Sequence, residues 1–305
     1  MSSKIQKNSI FLDTLAQLPT DSLNNLKKRA RSKCFTQAVT GRLLYLNSPL
    51  HKYYQSAYYC AHILKQEGKK VTSHYCKTRV CHICNRISTA KLIKGYINQL
   101  MSLDGLQFVT LTIPNCNESE LNVTVDSMLK SISNIVRVIR ERKKIKINGI
   151  RKIEGTYNFI ENTYHPHIHL LVDSNAGNLI VTEWLKRYPK AKLSAQNVRI
   201  ADKNSLNELF KYTTKIISRT KVGVIDIYVP ALDKIMLSLK GRRCFQPFGN
   251  IKKVDEDEIN LESQEYDDIE EYDFIEWIWK DCDWVNGSKT LTGYIPPDIE
   301  INYFE

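Results

Sequence analysis

Three histidines occupy alternate positions in a short apolar segment, His165-Pro-His-Ile-His169, which continues as Leu-Leu-Val. Residues two apart on a β-strand point to the same face, so a strand here would align three imidazoles. Two imidazole ligands on a divalent metal leave coordination positions for water and substrate oxygens. The alternative is a set of ordinary surface histidines. Because three of the seven histidines of the chain fall here, the cluster favours a metal site that acts on a phosphodiester.

A second reactive group lies in the segment Ser-Leu-Asn-Glu-Leu-Phe-Lys-Tyr-Thr-Thr-Lys, for which we predict a helix over residues 205–218. Offsets of four and seven would place Glu208, Tyr212 and Lys215 on one helical face. A tyrosine hydroxyl, with an ordinary pKa of about 10, attacks a phosphate only with help from a base, a cation or a metal. Lys215 could supply the cation. Alone, the same spacing also describes a surface stripe with an amphipathic tyrosine.

Four cysteines stand close together in the sequence, Cys76, Cys81 and Cys84 with Cys60 sixteen residues upstream. Their thiolates would close a tetrahedral zinc site, which is structural because no coordination position stays open. Three histidines of the same stretch are rival ligands: His62, His74 and His82. The remaining cysteines have no close cysteine partner in the sequence and are predicted to be buried thiols: Cys34, Cys116, Cys244 and Cys282.

The charge of the chain is divided unevenly. Residues 251–305 carry 17 acidic and 4 basic side chains, a net charge of −13, whereas residues 1–250 carry 40 basic and 16 acidic side chains, a net charge of +24. Such a cationic body suits DNA, because each basic residue that neutralises a phosphate releases counterions. A merely soluble basic protein accounts for the charge equally well.

The chain shows no apolar run of eighteen residues and no signal peptide at its start, so we expect a cytoplasmic protein without membrane contact. The eight cysteines therefore favour metal binding over a disulfide framework. The apolar patterns predict an α+β protein of four segments. These are a basic N-terminal arm over residues 1–50, a cysteine-rich module and helix over 51–100, a main domain over 101–250, and an acidic linker with an aromatic C-terminal element over 251–305.

Within the main domain the patterns alternate between strand and helix. Strands are predicted at 107–112 and 197–200, and a hairpin is predicted from the runs 151–160 and 165–173. Helices are predicted at 120–142 and 181–188. This order indicates an antiparallel sheet backed by helices.

Three motifs occur together and in a fixed order. The run Phe108-Val-Thr-Leu-Thr-Ile-Pro-Asn115 comes first, the segment His165–His169 second, and Tyr212-x-x-Lys215 third. In this order they resemble the three motifs of the plasmid rolling-circle replication initiators, which belong to the HUH endonuclease superfamily. Motifs found together are far more specific than any one of them alone.

The resemblance extends on both sides of these motifs and covers about residues 55–250. The run from Cys76 to Arg86, with Cys60 upstream, resembles a cysteine module that precedes the nuclease in one branch of the family. It carries His82 where that branch usually has proline. The run Leu239-Lys-Gly-Arg-Arg243 before Phe248-Gly249 looks like a segment that follows the nuclease.

The resemblance implies a catalytic metal, Mg²⁺ or Mn²⁺, and a structural Zn²⁺. His167 and His169 would be ligands of the catalytic metal. Glu154, on the preceding predicted strand, is our candidate for the third ligand, and His165 is the competing choice. Which of the two it is depends on the strand register.

The resemblance also implies a reaction. Tyr212 would attack the scissile phosphate, form a 5′-phosphotyrosine and free a 3′-hydroxyl that primes a polymerase. Glu208 matches an acidic position that activates water for the terminating cut, which would make a second tyrosine unnecessary. Lys215 would orient the phenoxide or a phosphate oxygen.

The implied fold is a five-stranded antiparallel sheet with helices on one face, similar to the ferredoxin-like or RRM-like arrangement, with the histidines on a central strand and the zinc module before it. Implied partners are plasmid origin DNA, single-stranded at the nick, and a host helicase and DNA polymerase. Five basic residues are predicted to bind DNA: Arg79, Arg86, Lys211, Arg242 and Arg243.

Two other functions compete with the initiator. A mobilisation relaxase or a transposase shares the histidine and tyrosine chemistry, although Glu208 with a single tyrosine favours the initiator. A non-catalytic zinc-containing repressor would need only the basic body. The aromatic segment after residue 273 carries enough apolar surface to need burial or a partner, and the tail could restrain the enzyme by packing against the DNA groove.

Overall fold

The structure is a computed structural model of the 305-residue chain. It describes residues 20–68, 70–211, 217–221, 224–256, 274–298 and 300–304. The chain forms two compact units. Unit 1 contains residues 1–85 and 263–300, and unit 2 contains residues 86–262 and 301–305. Each unit includes a part of the C-terminal region.

The described residues of unit 1 form two helices and a five-stranded antiparallel sheet. The helices are α1 (Thr20–Leu43) and α2 (His51–Tyr58). The sheet has the order β12-β11-β10-β1-β2, formed by β1 (Ile63–Glu67), β2 (Lys70–Ser73), β10 (Ile275–Lys280), β11 (Asp283–Asn286) and β12 (Lys289–Thr290). The C-terminal region therefore supplies three of the five strands beside the cysteine-rich segment.

The three tryptophans of the C-terminal element, Trp277, Trp279 and Trp284, lie in the core of unit 1. Trp277 and Trp284 are 1% and 0% exposed. Trp277 donates a hydrogen bond to Gln66 Oε1 at 2.9 Å, and Trp284 donates to the Ala61 carbonyl at 2.9 Å. The tryptophans of the segment that the sequence analysis singled out are thus buried within the chain, whereas Phe274 and Ile278 of the same segment are exposed. The acidic residues 257–273 lie outside the described residues.

A disulfide joins α1 to the turn between β10 and β11. Cys34 and Cys282 are 248 residues apart in sequence, yet their Cα atoms are 5.2 Å apart. The prediction of free thiols was wrong for these two, because sequence distance conceals the return of the C-terminal strands. Cys116 and Cys244 are buried and form no disulfide, as predicted.

Unit 2 centres on a second five-stranded antiparallel sheet of order β6-β3-β5-β4-β9. Its strands are β3 (Gln107–Thr112), β4 (Gly149–Asn158), β5 (Thr163–Val172), β6 (Asn197–Ile200) and β9 (Phe245–Phe248). The predicted hairpin is confirmed as β4 and β5, and the histidines lie on the central strand β5. The predictions of an α+β protein and of a five-stranded antiparallel sheet are also confirmed.

One helical layer covers the sheet face opposite the histidines. It contains α4 (Glu118–Arg142), α5 (Gly177–Arg187) and α7 (Val229–Leu239). Gly155 alternates with Glu154 and Thr156 along β4 and faces Ile235 of α7. In α4 every third or fourth residue is apolar and buried, from Leu121 to Ile139, so the helix presents one continuous apolar stripe to this layer.

Two further helices cover one end of the histidine face, so the prediction of helices on one face was wrong. They are α3 (His82–Met101) and α6 (Lys203–Phe210). Their apolar residues pack on the strand residues of that end in one core cluster: Leu92, Tyr96, Leu100, Leu206, Leu209 and Phe210 on Phe108, Ile150 and Leu171. Because these three strand residues are large and apolar, this part of the face must be buried.

The helix predicted over residues 205–218 is shorter in the structure. It ends at Phe210, after which Lys211 adopts an extended backbone with φ −63° and ψ 111°. Residues 217–221 form strand β7 (Ile217–Lys221) instead, which pairs with β8 (Val224–Tyr228) beside β13 (Glu300–Phe304). The β-branched residues that follow Tyr212 favour strand over helix. No helix among the described residues is long and apolar enough to cross a membrane.

Candidate functional site

The register of the central strands brings a carboxylate against the histidines. His167 lies opposite Glu154 of β4 and Thr112 of β3, and His169 lies opposite Lys152 and Thr110. Glu154 Oε2 lies 3.3 Å from His167 Nε2 and 3.8 Å from His169 Nε2.

These three side chains could hold a metal ion. Their ligand atoms all lie within 4.8 Å of one another, and all three side chains are buried. Glu154 Oε2 accepts no aligned hydrogen bond from any described residue. A buried carboxylate oxygen that faces two imidazole nitrogens is a donor set that suits a divalent cation. His165 is not part of this group, and its Nδ1 lies 2.9 Å from Asn115 Oδ1.

The charge state of Glu154 suits a ligand. Burial raises its pKa, but the neighbouring His167 and the ammonium of Lys152 outweigh burial, so the pKa of Glu154 is lowered below its usual value. Lys152, itself buried, forms an ion pair with Glu154 Oε1. The carboxylate is therefore ionised, with one oxygen on the lysine and the other towards the histidines.

Hydrogen bonds orient the imidazole rings. His167 Nδ1 lies 3.2 Å from the His165 carbonyl oxygen, which can only accept a hydrogen bond. The proton of a neutral His167 therefore belongs on Nδ1, and Nε2 keeps its lone pair for a metal. His169 Nδ1 is held by Thr110 Oγ1 at 3.0 Å. Both rings thus turn their Nε2 atoms towards Glu154.

We call Glu154, His167 and His169 the metal-ligand group, after the ion that they could hold. Through His167 and His169 this group borders a cavity of about 460 Å³. Besides His167 and His169, its walls include Thr156 and His165 of the hairpin and Glu208 of α6. Glu208 is exposed, so a substrate or water in the cavity can reach its carboxylate. The structure thus brings Glu208 and the histidines to one cavity. Tyr212 and Lys215, predicted to act with them, lie outside the described residues.

The sequence analysis missed Arg199, which also lines this cavity. Its guanidinium lies 4.5 Å above the ring of Phe108, and it pairs with Glu208 Oε2 at 2.9 Å and with Ser205 Oγ at 2.7 Å. A fixed guanidinium beside a possible phosphate site is a good anion partner. The one sequence signal for Arg199 is alternation along β6, which places its side chain on the same sheet face as that of Phe108, its partner on β3.

The basic residues predicted to bind DNA differ in their surroundings. Both ends of the Arg242 guanidinium donate hydrogen bonds to the Asp126 carboxylate, at 2.6 and 2.7 Å, so Arg242 links the turn after α7 to α4. Arg86, Lys211 and Arg243 are exposed. Arg79 is half-buried, and its backbone amide donates a hydrogen bond to Tyr53 at 2.5 Å.

A second possible metal site lies in unit 1 and consists of Cys60, Cys76, Cys81 and Cys84. The four sulfur atoms all lie within 4.8 Å of one another, with Cys84 Sγ 3.5 Å from Cys60 Sγ and 3.6 Å from Cys76 Sγ. The three rival histidines are not part of the group. Four mutually close sulfurs fit a closed tetrahedral site for a soft cation.

The backbone and a buried lysine support the cysteine group. The amide of Cys76 donates to Cys60 Sγ at 3.4 Å, and Lys33 donates to the Cys60 carbonyl at 2.7 Å. Burial lowers the pKa of Lys33 to about 8, although the nearby cysteines oppose this shift. A cation beside four thiolates offsets part of the negative charge of an occupied site.

Comparison with known proteins places the chain in a family. A family model described as "Replication protein" matches residues 68–280, which is more than half of the chain. A protein described as "Protein rep" from Streptococcus pneumoniae serotype 2 (strain D39 / NCTC 7466) is 29% identical over 154 residues, covering 46% of this chain and 47% of that protein. Proteins of the same description are 28% identical over 173 residues in Staphylococcus aureus and 25% identical over 277 residues in Bacillus amyloliquefaciens.

The matches cover 49% of this chain and 73% of the Staphylococcus aureus protein, and 77% of both this chain and the Bacillus amyloliquefaciens protein. The chain thus spans about half the length of the first of these relatives. No solved structure matches the chain. The resemblance to plasmid replication initiators is confirmed by the family model, and the chain belongs to the replication protein family.

Proposed function

We propose that the protein initiates rolling-circle replication of a plasmid by nicking one strand of origin DNA through Tyr212. The observation that carries the proposal is the buried group of Glu154, His167 and His169, which opens onto a cavity shared with Glu208. Membership of the replication protein family supplies the biological setting. The HUH type of nuclease fold is part of the proposal.

In the proposed reaction the Tyr212 oxygen attacks the scissile phosphate. A bond forms between this oxygen and phosphorus, the bond from phosphorus to the 3′ oxygen breaks, and the 3′ oxygen takes up a proton. A Mg²⁺ or Mn²⁺ ion held by Glu154, His167 and His169 would polarise the phosphate and stabilise its added charge. Lys215 orients the reacting oxygens. The 5′ end stays on the protein, and the free 3′-hydroxyl primes synthesis by a host polymerase.

Termination requires a second attack on a phosphate. Glu208, exposed in the cavity, serves as the general base that takes a proton from the attacking water. Its pairing with Arg199 at 2.9 Å fixes the carboxylate in the cavity before substrate binds. His165 and Arg199 complete the polar wall against which the DNA strand lies.

The other predicted features enter the same proposal. Zn²⁺ in the cysteine group stabilises unit 1. Origin DNA, single-stranded at the nick, and a helicase that unwinds it are the partners. Exposed Arg86, Lys211 and Arg243 contribute to phosphate binding, as does Arg79.

The test is incubation of the purified protein with its supercoiled plasmid and Mn²⁺, followed by a denaturing protein gel that detects DNA-linked protein. The wild type should give nicked circles and a covalent adduct, and Tyr212→Phe should give neither. Tyr45→Phe is the matched control, because Tyr45 is 86% exposed and lies in unit 1. Adduct formation by Tyr212→Phe would move the nucleophile to another residue. Tight DNA binding without nicking, by the wild type and across metals, would favour the repressor.

A further inference from the structure

A buried lysine stands between the metal-ligand group and the end of α6. Lys152 lies on β4, two residues before Glu154 and on the same sheet face, and is 2% exposed. Its ammonium pairs with Glu154 Oε1 and donates to the Lys211 carbonyl, and the Glu208 carbonyl lies 3.5 Å away. A buried ammonium is costly unless it is fully partnered, so these contacts fix its position.

The first effect of Lys152 is on the metal ligand. Because the ammonium occupies Oε1, Glu154 turns only Oε2 towards His167 and His169. One carboxylate oxygen and two imidazoles would give a divalent ion three protein ligands and leave the rest of its coordination shell open. Lys152 also cancels the charge of Glu154, so the bound ion would keep more of its charge for the phosphate.

The second effect of Lys152 is on the segment that precedes the proposed nucleophile. α6 ends at Phe210, and its last carbonyl groups have no partner within the helix. Lys152 binds the carbonyl of Lys211, which directly precedes Tyr212 in the sequence. One ammonium therefore connects the metal carboxylate to the peptide that leads into Tyr212.

We propose that Lys152 is a positioning residue that connects the Glu154 carboxylate to the Lys211 carbonyl, next to Tyr212 in the sequence, and that it lowers metal affinity in favour of reactivity. This inference rests on the proposed nicking function. The proposal predicts that one variant, which lacks the ammonium, changes metal binding and the transfer rate in opposite senses. Loss of the ammonium should strengthen metal binding, because a positive charge beside the ion is removed. It should also slow transfer to the tyrosine, because the Lys211 carbonyl loses its partner. A lysine with only a structural role would not produce this opposition.

The experiment compares wild type with Lys152→Met, which keeps the length of the side chain and removes its charge. Mn²⁺ affinity is measured by electron paramagnetic resonance of free Mn²⁺, without DNA. Adduct formation is measured in single turnover at saturating Mn²⁺ with single-stranded origin DNA. We expect Mn²⁺ to bind about tenfold more tightly and the adduct to form about a hundredfold more slowly. DNA affinity should stay within about twofold, because the buried ammonium of Lys152 is not exposed for contact with a phosphate.

Arg151→Met is the matched control, since Arg151 is a buried cation on the same strand that binds the Arg243 carbonyl and Gln246 instead. It should lower thermal stability and leave both Mn²⁺ affinity and adduct rate near wild type. If Lys152→Met does not fold, the same two measurements are made on Lys152→Arg. It keeps the charge, so wild-type Mn²⁺ affinity with an adduct rate at least about fivefold lower supports the proposal.

The outcomes separate this inference from the proposed function. No adduct from the wild type would refute the nicking proposal and with it the rate part of the inference. Wild-type nicking with an unchanged adduct rate in Lys152→Met, or weaker Mn²⁺ binding in that variant, would overturn the inference alone.

Discussion

Replacing Trp284 by alanine should remove much of the stability of unit 1, although Trp284 lies about two hundred residues beyond the cysteine group. Trp284 is fully buried, and its indole nitrogen donates to the carbonyl of Ala61, the residue next to Cys60. Truncation of a buried tryptophan costs about 3–5 kcal/mol. The stranded Ala61 carbonyl adds about 1 kcal/mol.

The total of about 4–6 kcal/mol is a large share of the roughly 5–15 kcal/mol by which a domain is stable. The assay is urea unfolding followed by the absorption of Co²⁺ bound to the cysteine group, which reports on unit 1 alone. All variants are compared at the same free Co²⁺ concentration, because bound metal adds to apparent stability. The midpoint for Trp284→Ala should fall well below that of the wild type.

Two controls make this prediction specific. Ile278 lies on β10 but is 50% exposed, so Ile278→Ala should change the free energy of unfolding by less than about 0.5 kcal/mol. Trp184 is buried in unit 2, and Trp184→Ala should leave the Co²⁺ transition in place. If Trp284→Ala behaves like Ile278→Ala, the C-terminal strands do not belong to the core of unit 1, and the reasoning fails.

Three further predictions concern unit 2. Glu154→Gln should weaken Mn²⁺ binding at least about tenfold, because a charged ligand is lost, whereas His165→Ala should leave it unchanged. If isothermal titration shows the loss in His165→Ala and not in Glu154→Gln, His165 is the third ligand. Arg243→Met should reduce the slope of log K for DNA binding against log salt concentration by about one. Arg242→Met should leave this slope unchanged and lower stability by less than about 1 kcal/mol. An equal loss of slope in Arg242→Met would show that Arg242 binds DNA. Arg199→Lys should slow the terminating cut about tenfold by releasing the carboxylate with which it pairs, and an unchanged rate in single turnover would exclude that role.

The arrangement of the metal-ligand group could be predicted because it depends on a local rule. Alternation along β5 places His167 and His169 on one face whatever the rest of the chain does. The same rule would have revealed Lys152, since it stands two residues before Glu154. What alternation could not supply was the register between β4 and β5, which depends on pairing across the hairpin.

The features that escaped prediction all depend on contacts between distant residues. The disulfide between Cys34 and Cys282 and the burial of Trp277 arise because the C-terminal strands pair with β1. No local sequence pattern indicates this pairing. The second helical layer escaped for a related reason, because the pattern of α3 marks an apolar face without indicating which surface it covers. The early end of α6 was a local error, in which the apolar spacing outweighed the β-branched residues that follow Tyr212.

The interleaving of the two units has a consequence for the order of synthesis. A ribosome adds about 5–20 residues per second, so the roughly two hundred residues between Asn85 and Thr290 take on the order of ten to forty seconds. During that interval the histidine sheet, whose last strand in sequence ends at Phe248, can form, while β1 still lacks its partner strand β10. A nascent chain thus completes its histidine sheet before unit 1, and a product released before residue 275 has the first without the second.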